Sequence, residues 1–346
     1  MNSITKVVTV SFYVLILSIF VIGCSNQANS STGKDNSGEN ELEVDTLRYS
    51  GSTGQVTFWE LAEDLGYLDP LKLEWTGNST SGPENIQATV SNSIDFGGAF
   101  NGAILKLKEA GAPITAVIGY YGSDEQTYSG YYVLEDSPIK EAKDLIGKKI
   151  GVNTLGAHHE FAIVEFLRRE GLTEDEIEQV NFVVIPPASG EQALRSGQLD
   201  ATTLGGVIQD KALERGGIRP LFKDTDLFGS FTAGSLVFRD DFIKKNPKTV
   251  AKFVEGTAKA IEWAKVTPVE EVRERMKKII EKRNRNEDTE LIPYWKTTGI
   301  ESQGGQILEK EFQVWIDWLE NDGFLEKGKL SPKEVYTNEF NPYVKE

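Results

Sequence analysis

The sequence predicts an α/β fold made of two modules, and three features lead to it. Short runs rich in β-formers alternate with helical spacings, and each run ends in small residues or glycine. The same alternation restarts after Tyr131, which implies two lobes. Between them in style, Lys148–Arg169 condenses the unit into one stretch: Ile150-Gly151-Val152 as strand, Asn153–Gly156 as turn, then Phe161, Ile163, Val164, Phe166 and Leu167 at helical spacing. Such a unit aims the free N–H groups of a helix's first turn at whatever sits above the strand. Gly156-Ala157-His158-His159 stands at that helix mouth and lets a ligand approach the backbone closely.

In chain order, Thr46–Tyr49 reads as a strand broken by Gly51-Ser52-Thr53-Gly54. Val56 to Leu65 reads as a helix stopped by Gly66. A strand at Leu71–Trp75 leads to a helix over Glu84–Val90. Gly97–Gly102 then reads as a glycine-rich break ahead of a helix at Ala103–Ala110. Ile114–Ile118 is a strand running into Tyr120-Tyr121-Gly122. The second module takes strands at Tyr131–Leu134, Ile150–Val152, Phe182–Ile185, Leu199–Leu204 and Pro220–Phe222, with helices at Ala142–Leu145, Gly190–Ser196 and Val207–Arg215. After a last extended run at Ser235–Phe238 the pattern changes to long amphipathic helices. These begin at Asn246-Pro247, at Pro268, and around Phe312, Trp315, Ile316 and Leu319. The basic cluster Lys278–Arg285 reads as a solvated helix end.

Composition bounds the function. A formal charge of −16 over 346 residues leaves no basic patch to neutralise phosphates, so nucleic acid is not an expected partner. Hydrophobic content of 39% with 10% aromatics is that of a globular chain. The N-terminus differs. Lys6 precedes an uncharged run, Val7–Gly23, that reads as a signal segment ending in Val21-Ile22-Gly23-Cys24. This ending resembles the lipobox of bacterial lipoproteins and implies a lipid on Cys24, the single cysteine; removing residues 1–23 takes away one positive charge and leaves −17. A lone cysteine excludes an intrachain disulfide. Residues 24–45, rich in Ser, Asn and Gly, read as a flexible tether.

Four stretches carry a wider resemblance: Ser93-Ile94-Asp95-Phe96-Gly97; Asp136–Lys140 leading into Asp144–Val152; Glu191–Leu194 with Ser196–Ala201; and Asn246-Pro247 before a long helix. Together they resemble the substrate-binding proteins of bacterial ABC importers, in the NMT1-like branch that takes up nitrate, sulfonates, taurine and thiamine pyrimidine precursors. The resemblance implies a two-lobed, periplasmic-binding-protein-like fold of type II, with ligand clamped between lobes joined by two crossing segments. Those crossings are expected near Tyr131–Glu135 and Ala233–Phe238, with lobe one at residues 46–133 plus 235–346 and lobe two at 134–234. It also implies a monomer on the extracytoplasmic face of the cell membrane, without cofactor, metal or catalysis, that delivers a small solute to permease subunits. The solute is then a sulfonate, taurine or nitrate; the alternatives are a thiamine pyrimidine precursor or other small aromatic solute, or an enzyme on the same fold.

Carried over by position, the implied ligand-binding residues are Ser52, Thr53, Gly54 and Gln55; Gly98, Phe100 and Asn101; Tyr121; Gly156, Ala157, His158 and His159; and Gly205 with Gly206. Sulfonate binders often have a tryptophan near the last pair, and its absence here widens the cleft. None of these loops contains Lys or Arg, so an anionic head group would rest on helix-mouth amides, hydroxyls and imidazole. Adjacent histidines point about 100° apart on a helix, unlike metal pairs at i and i+4, so hydrogen bonding is the expected role of His158 or His159. Trp59 is expected in the core, and Glu160 and Asp124 as solvated charges.

Overall fold

The computed structural model describes residues 41–79 and 81–344, so the signal segment, Cys24 and most of the tether lie outside the described residues. Among the described residues ten strands form: β1 (Thr46–Gly51), β2 (Lys72–Asn78), β3 (Phe96–Phe100), β4 (Ile114–Ser123), β5 (Ser129–Leu134), β6 (Lys149–Val152), β7 (Asn181–Val184), β8 (Ala201–Gly205), β9 (Ile218–Lys223) and β10 (Phe231–Arg239). In lobe one β1 and β2 pair in parallel, and β10 runs antiparallel between β3 and β4. Lobe two holds a five-stranded sheet in the order β7-β6-β8-β5-β9, with β5 antiparallel to both neighbours.

Strand pairing moves the crossings relative to the expectation. Tyr131–Leu134 lies inside β5 and pairs in lobe two, while Ala233–Phe238 lies inside β10 and pairs in lobe one. The chain therefore crosses at residues 124–128 and 224–230, a few residues earlier each time. Both extended runs were long enough in sequence to read as connectors, but their buried side chains are sheet interior.

A second difference concerns glycine. Residues 96–100 are a fully buried strand rather than a loop. A Cβ on Gly97 would fall 2.5 Å from Thr89 Oγ1, and one on Gly98 would fall 2.7 Å from the Tyr120 ring. The glycines are there because neighbours press on the strand, as expected where another element approaches closely.

The long C-terminal helices pack on lobe one. Pro247–Val266 buries Val250, Phe253, Val254, Ala258 and Ile261 against Leu47, Phe96 and Phe238. Its first turn is capped from the expected tether: Glu43 Oε2 accepts from Thr249 N at 2.9 Å, so residues 41–45 are already part of the folded body. The basic cluster is likewise not a solvated end. Arg283 and Arg285 bond the buried Glu60, at 2.8 and 2.6 Å, and Arg285 also donates to the Tyr49 hydroxyl. On the other face of lobe one, helix Glu309–Asn321 supplies Phe312, Trp315 and Ile316. Helix His158–Arg169 of lobe two reaches this cluster too, with Phe161 edge-on to Trp318 at 4.2 Å between centroids. Among the described residues no helix is long and apolar enough to cross a membrane.

Candidate functional site

A cavity of about 510 Å³ opens where the two lobes face each other. Lobe one supplies the segments around Ser50–Trp59, Ser79–Asn85, Gly98, Phe100 and Tyr120–Ser123. Lobe two supplies Asn153, Ala157–His159, Gly205–Val207 and Asp210. The crossing residues Thr127–Ser129 and the C-terminal segment Tyr294–Thr298 complete the wall.

Helix N-termini meet the cavity from both sides, but their amides differ in availability. In lobe one, Thr57 caps helix Phe58–Asp64 in a reciprocal box with Glu60, and Ser81 caps helix Gly82–Val90. In lobe two the N-caps are Ala157 and Gly205, and neither helix has a side-chain cap. Lobe two thus brings two helix starts without a side-chain cap to the cavity, and lobe one brings a third, that of helix Asn101–Glu109 behind Phe100; amides and positive dipole ends of this kind are what an oxyanion needs. Gly206 sits at φ +51°, a conformation that favours glycine, and so brings backbone rather than side chain to the cavity.

His158 and His159 take different positions. His158 stacks on Phe100 with centroids 5.3 Å apart, and its Nε2 lies 3.3 Å from Asp224 Oδ2, without hydrogen-bond geometry. His159 has Thr203 Oγ1 3.4 Å from Nδ1 and Ser129 Oγ 3.5 Å from Nε2. Burial, reinforced by the neighbouring His158, pushes the His159 pKa down to about 3, so its imidazole is neutral and can either donate or accept. Burial also pushes the Tyr120 and Tyr121 hydroxyls well above their ordinary range, which keeps both as donors.

Of the residues expected from the sequence, Ser52, Gln55, Gly98, Phe100, Tyr121, Ala157, His158, His159, Gly205 and Gly206 line the cavity. Four do not. Asn101 is fully buried behind it, its amide donating to Glu311 O and accepting from Ser235 Oγ. Thr53 and Gly54 are not part of the lining, and Gly54 N donates to Glu287 at 2.6 Å. Gly156 N is taken by the Glu160 carboxylate, so that charge is bonded rather than solvated. Asp124 likewise accepts from Thr297 Oγ1 at 2.7 Å. Trp59 is core as expected, but one part of it also reaches the cavity wall.

The segment Tyr294–Thr298 has no counterpart in the sequence reading. It brings Lys296, which bonds Asp210 across the cleft at 2.7 Å; among the described residues these two are the only Lys, Arg, Asp or Glu side chains of the lining. Lys211–Glu290 and Tyr294–Glu214 join the same two elements beside it. No periodicity marks this irregular stretch, so only the isolated Trp295-Lys296 pair could have drawn attention to it. Exposed ion pairs of this kind contribute about 1 kcal/mol or less each, so the clasp is readily broken.

The model of the family described as "NMT1/THI5 like" matches residues 55–271, more than half of the chain. The chain belongs to the NMT1/THI5-like family. A putative aliphatic sulfonates-binding protein of Escherichia coli K12 is 29% identical over 164 residues, covering 46% of this chain and 49% of the relative. The match thus spans about half the length of that relative. A yeast 4-amino-5-hydroxymethyl-2-methylpyrimidine phosphate synthase from Saccharomyces cerevisiae is 23% identical over 321 residues, covering 85% and 88%. Among solved structures, the alkanesulfonate-binding protein of Xanthomonas axonopodis pv. citri bound to MOPS superposes with a TM-score of 0.67 at 20% identity, covering 86% of this chain and all of that one. The periplasmic nitrate-binding protein of Synechocystis PCC 6803 gives 0.65 at 15% identity, covering 87% and 88%. At these identities the likeness establishes the two-lobed fold of this NMT1/THI5-like chain.

The half-buried neutral imidazole of His159 yields a pH test. Its pKa is lowered on folding, so the stability it contributes is complete above about 6.5 and is lost as the pH falls towards 3, at up to about 1.4 kcal/mol per pH unit. Urea unfolding from pH 7 to pH 4 should show a steeper loss for the wild-type protein than for His159→Gln. Parallel curves would mean that the imidazole is not held neutral by the fold.

Proposed function

We propose that this chain is the solute-binding component of an ABC importer and that it holds a small oxyanion, a sulfonate first among them, between its lobes. One observation carries the reading: two uncapped helix N-termini of lobe two end at a cavity whose one lysine is already paired. A singly charged head group there is bound by amides, imidazole and hydroxyls rather than by a side-chain cation. The sulfonate-binding names of relatives and structural neighbours support the same class. The long match to the yeast synthase motivates a second reading, an enzyme on this fold. Against it stands the engagement of the nearby carboxylates: Asp210, Asp124 and Glu160 are each bonded within the protein and do not converge.

The importer reading includes a lipid on Cys24 that tethers the body to the extracytoplasmic face of the membrane, motivated by the apolar run ending in Val-Ile-Gly-Cys. Fractionation of cells expressing Cys24→Ala should find the body released, or an unprocessed precursor accumulating. Normal membrane retention with a trimmed N-terminus would remove the lipid from the proposal.

Ala157→Asp tests the helix mouth. Ala157 is the N-cap, in extended conformation, so an aspartate there would cap the helix itself and occupy the amides meant for the ligand. The variant should stay folded, with an unfolding midpoint no lower than wild type. In calorimetric titrations with ethanesulfonate, taurine, nitrate and benzenesulfonate, any affinity shown by wild type should fall by about 100-fold or more, through repulsion and lost hydrogen bonds. Wild-type affinity in this variant would move the head group away from lobe two.

A further inference from the structure

Size, lining and charge of the cavity say what stands behind the head group. The wall from lobe one and the C-terminal segment is a band of rings: Phe58, Trp59, Phe100, Tyr120, Tyr121 and Trp295. The rings support one another, with Trp59 and Tyr120 tilted at 5.8 Å and Tyr120 edge-on to Tyr121 at 4.9 Å between centroids. At the lobe-two end the band continues through Phe100 onto the His158 imidazole. It therefore runs from deep in lobe one to the helix mouth that would take the oxyanion. No described residue bonds the Tyr120 or Tyr121 hydroxyl, so both remain available to a ligand.

Volume decides between solute sizes. About 10–15 Å³ of space of this kind holds one water, so the cavity of about 510 Å³ has room for far more than a head group. A two-carbon sulfonate would leave much of it empty and the half-buried rings of Tyr120, Tyr121 and Trp295 against water, which is unfavourable for apolar surface. Charge narrows the class further. With Lys296 and Asp210 cancelling each other, the described residues of the lining offer no unpaired cation for a second negative charge on the solute. A ring made electron-poor by its own sulfonate is, by contrast, attracted to the electron-rich faces of Trp and Tyr.

We propose, resting on the solute-binding reading above, that the preferred solute is a monoanionic arenesulfonate of one or two rings. Its sulfonate sits at the Ala157–His159 and Gly205–Val207 mouths, and its ring lies along the Tyr120–Tyr121 band. Alkanesulfonates fit the head-group site and leave the band uncovered.

Calorimetry on the purified chain with ethanesulfonate, taurine, benzenesulfonate and 4-toluenesulfonate tests this. The two arenes should bind at least ten-fold tighter than the two aliphatic compounds and quench tryptophan fluorescence. Trp295→Leu at the more open rim should weaken the arenes three- to ten-fold while leaving ethanesulfonate within two-fold. Arene binding should also disappear in Ala157→Asp. Aliphatic affinity equal to or above that of the arenes overturns the aromatic preference and leaves the solute-binding reading standing. Arene binding that survives Ala157→Asp places the sulfonate elsewhere and overturns the proposed seating as well. Failure of all four compounds to bind the folded protein overturns both.

Discussion

A single buried carboxylate fixes the place where the lobes join. Asp224 is fully buried at the start of the second crossing; it accepts from Ser123 Oγ at 2.6 Å and from Ser129 N at 3.2 Å. Ser123 ends β4 in lobe one and Ser129 begins β5 in lobe two, so one side chain ties both crossings together. The same carboxylate lies 3.3 Å from His158 Nε2, which links the pivot to the mouth of the helix in lobe two. Taking a charge out of water costs several kcal/mol unless hydrogen bonds compensate, so these contacts must form together. The position of the helix mouth relative to the hinge is a consequence of that requirement.

From this pivot the cleft is built with deliberately unequal walls. Lobe one brings rings, with the Tyr120 and Tyr121 hydroxyls left open, and two of its three helix starts at the cavity are capped by side chains. Lobe two brings backbone, through Ala157, Gly205 and Gly206, and leaves the caps empty. The C-terminal segment closes the ring, with Thr297 bonded to Asp124 and Thr127 at the first crossing and Lys296 to Asp210 on lobe two. Since exposed ion pairs are weak, the bonds across the cleft bias the lobes towards each other without locking them. A ligand touching both walls can then shift the balance through its own contacts.

The fold was legible because its signals are local. The alternation of β-forming runs and helical spacings located the strands and the long helices to within a few residues, and the strand–turn–helix of Lys148–Arg169 came out as read. What escaped depends on contacts between distant parts of the chain. Gly97 and Gly98 look like a loop until Thr89, Asn85 and Tyr120 press on them. Arg283 and Arg285 look solvated until Glu60 is brought to them from more than two hundred residues away. Asn101 looks like a ligand amide, but Ser235 and Glu311 occupy it. For the site, glycine loops and the helix mouth pointed to lobe two, whereas the contribution of Tyr294–Thr298 has no local pattern and exists only through the fold.

The claim that the lobes enclose a solute is tested most directly by small-angle X-ray scattering of the wild-type protein, alone and saturated with whichever sulfonate binds tightest by calorimetry. The clasp between Lys296 and Asp210 belongs to the arrangement with the lobes together. The expected result is a smaller radius of gyration at saturation, with the profile of the saturated protein matching this structure. An unchanged radius at saturation, or a saturated profile more extended than this structure, would contradict enclosure between the lobes.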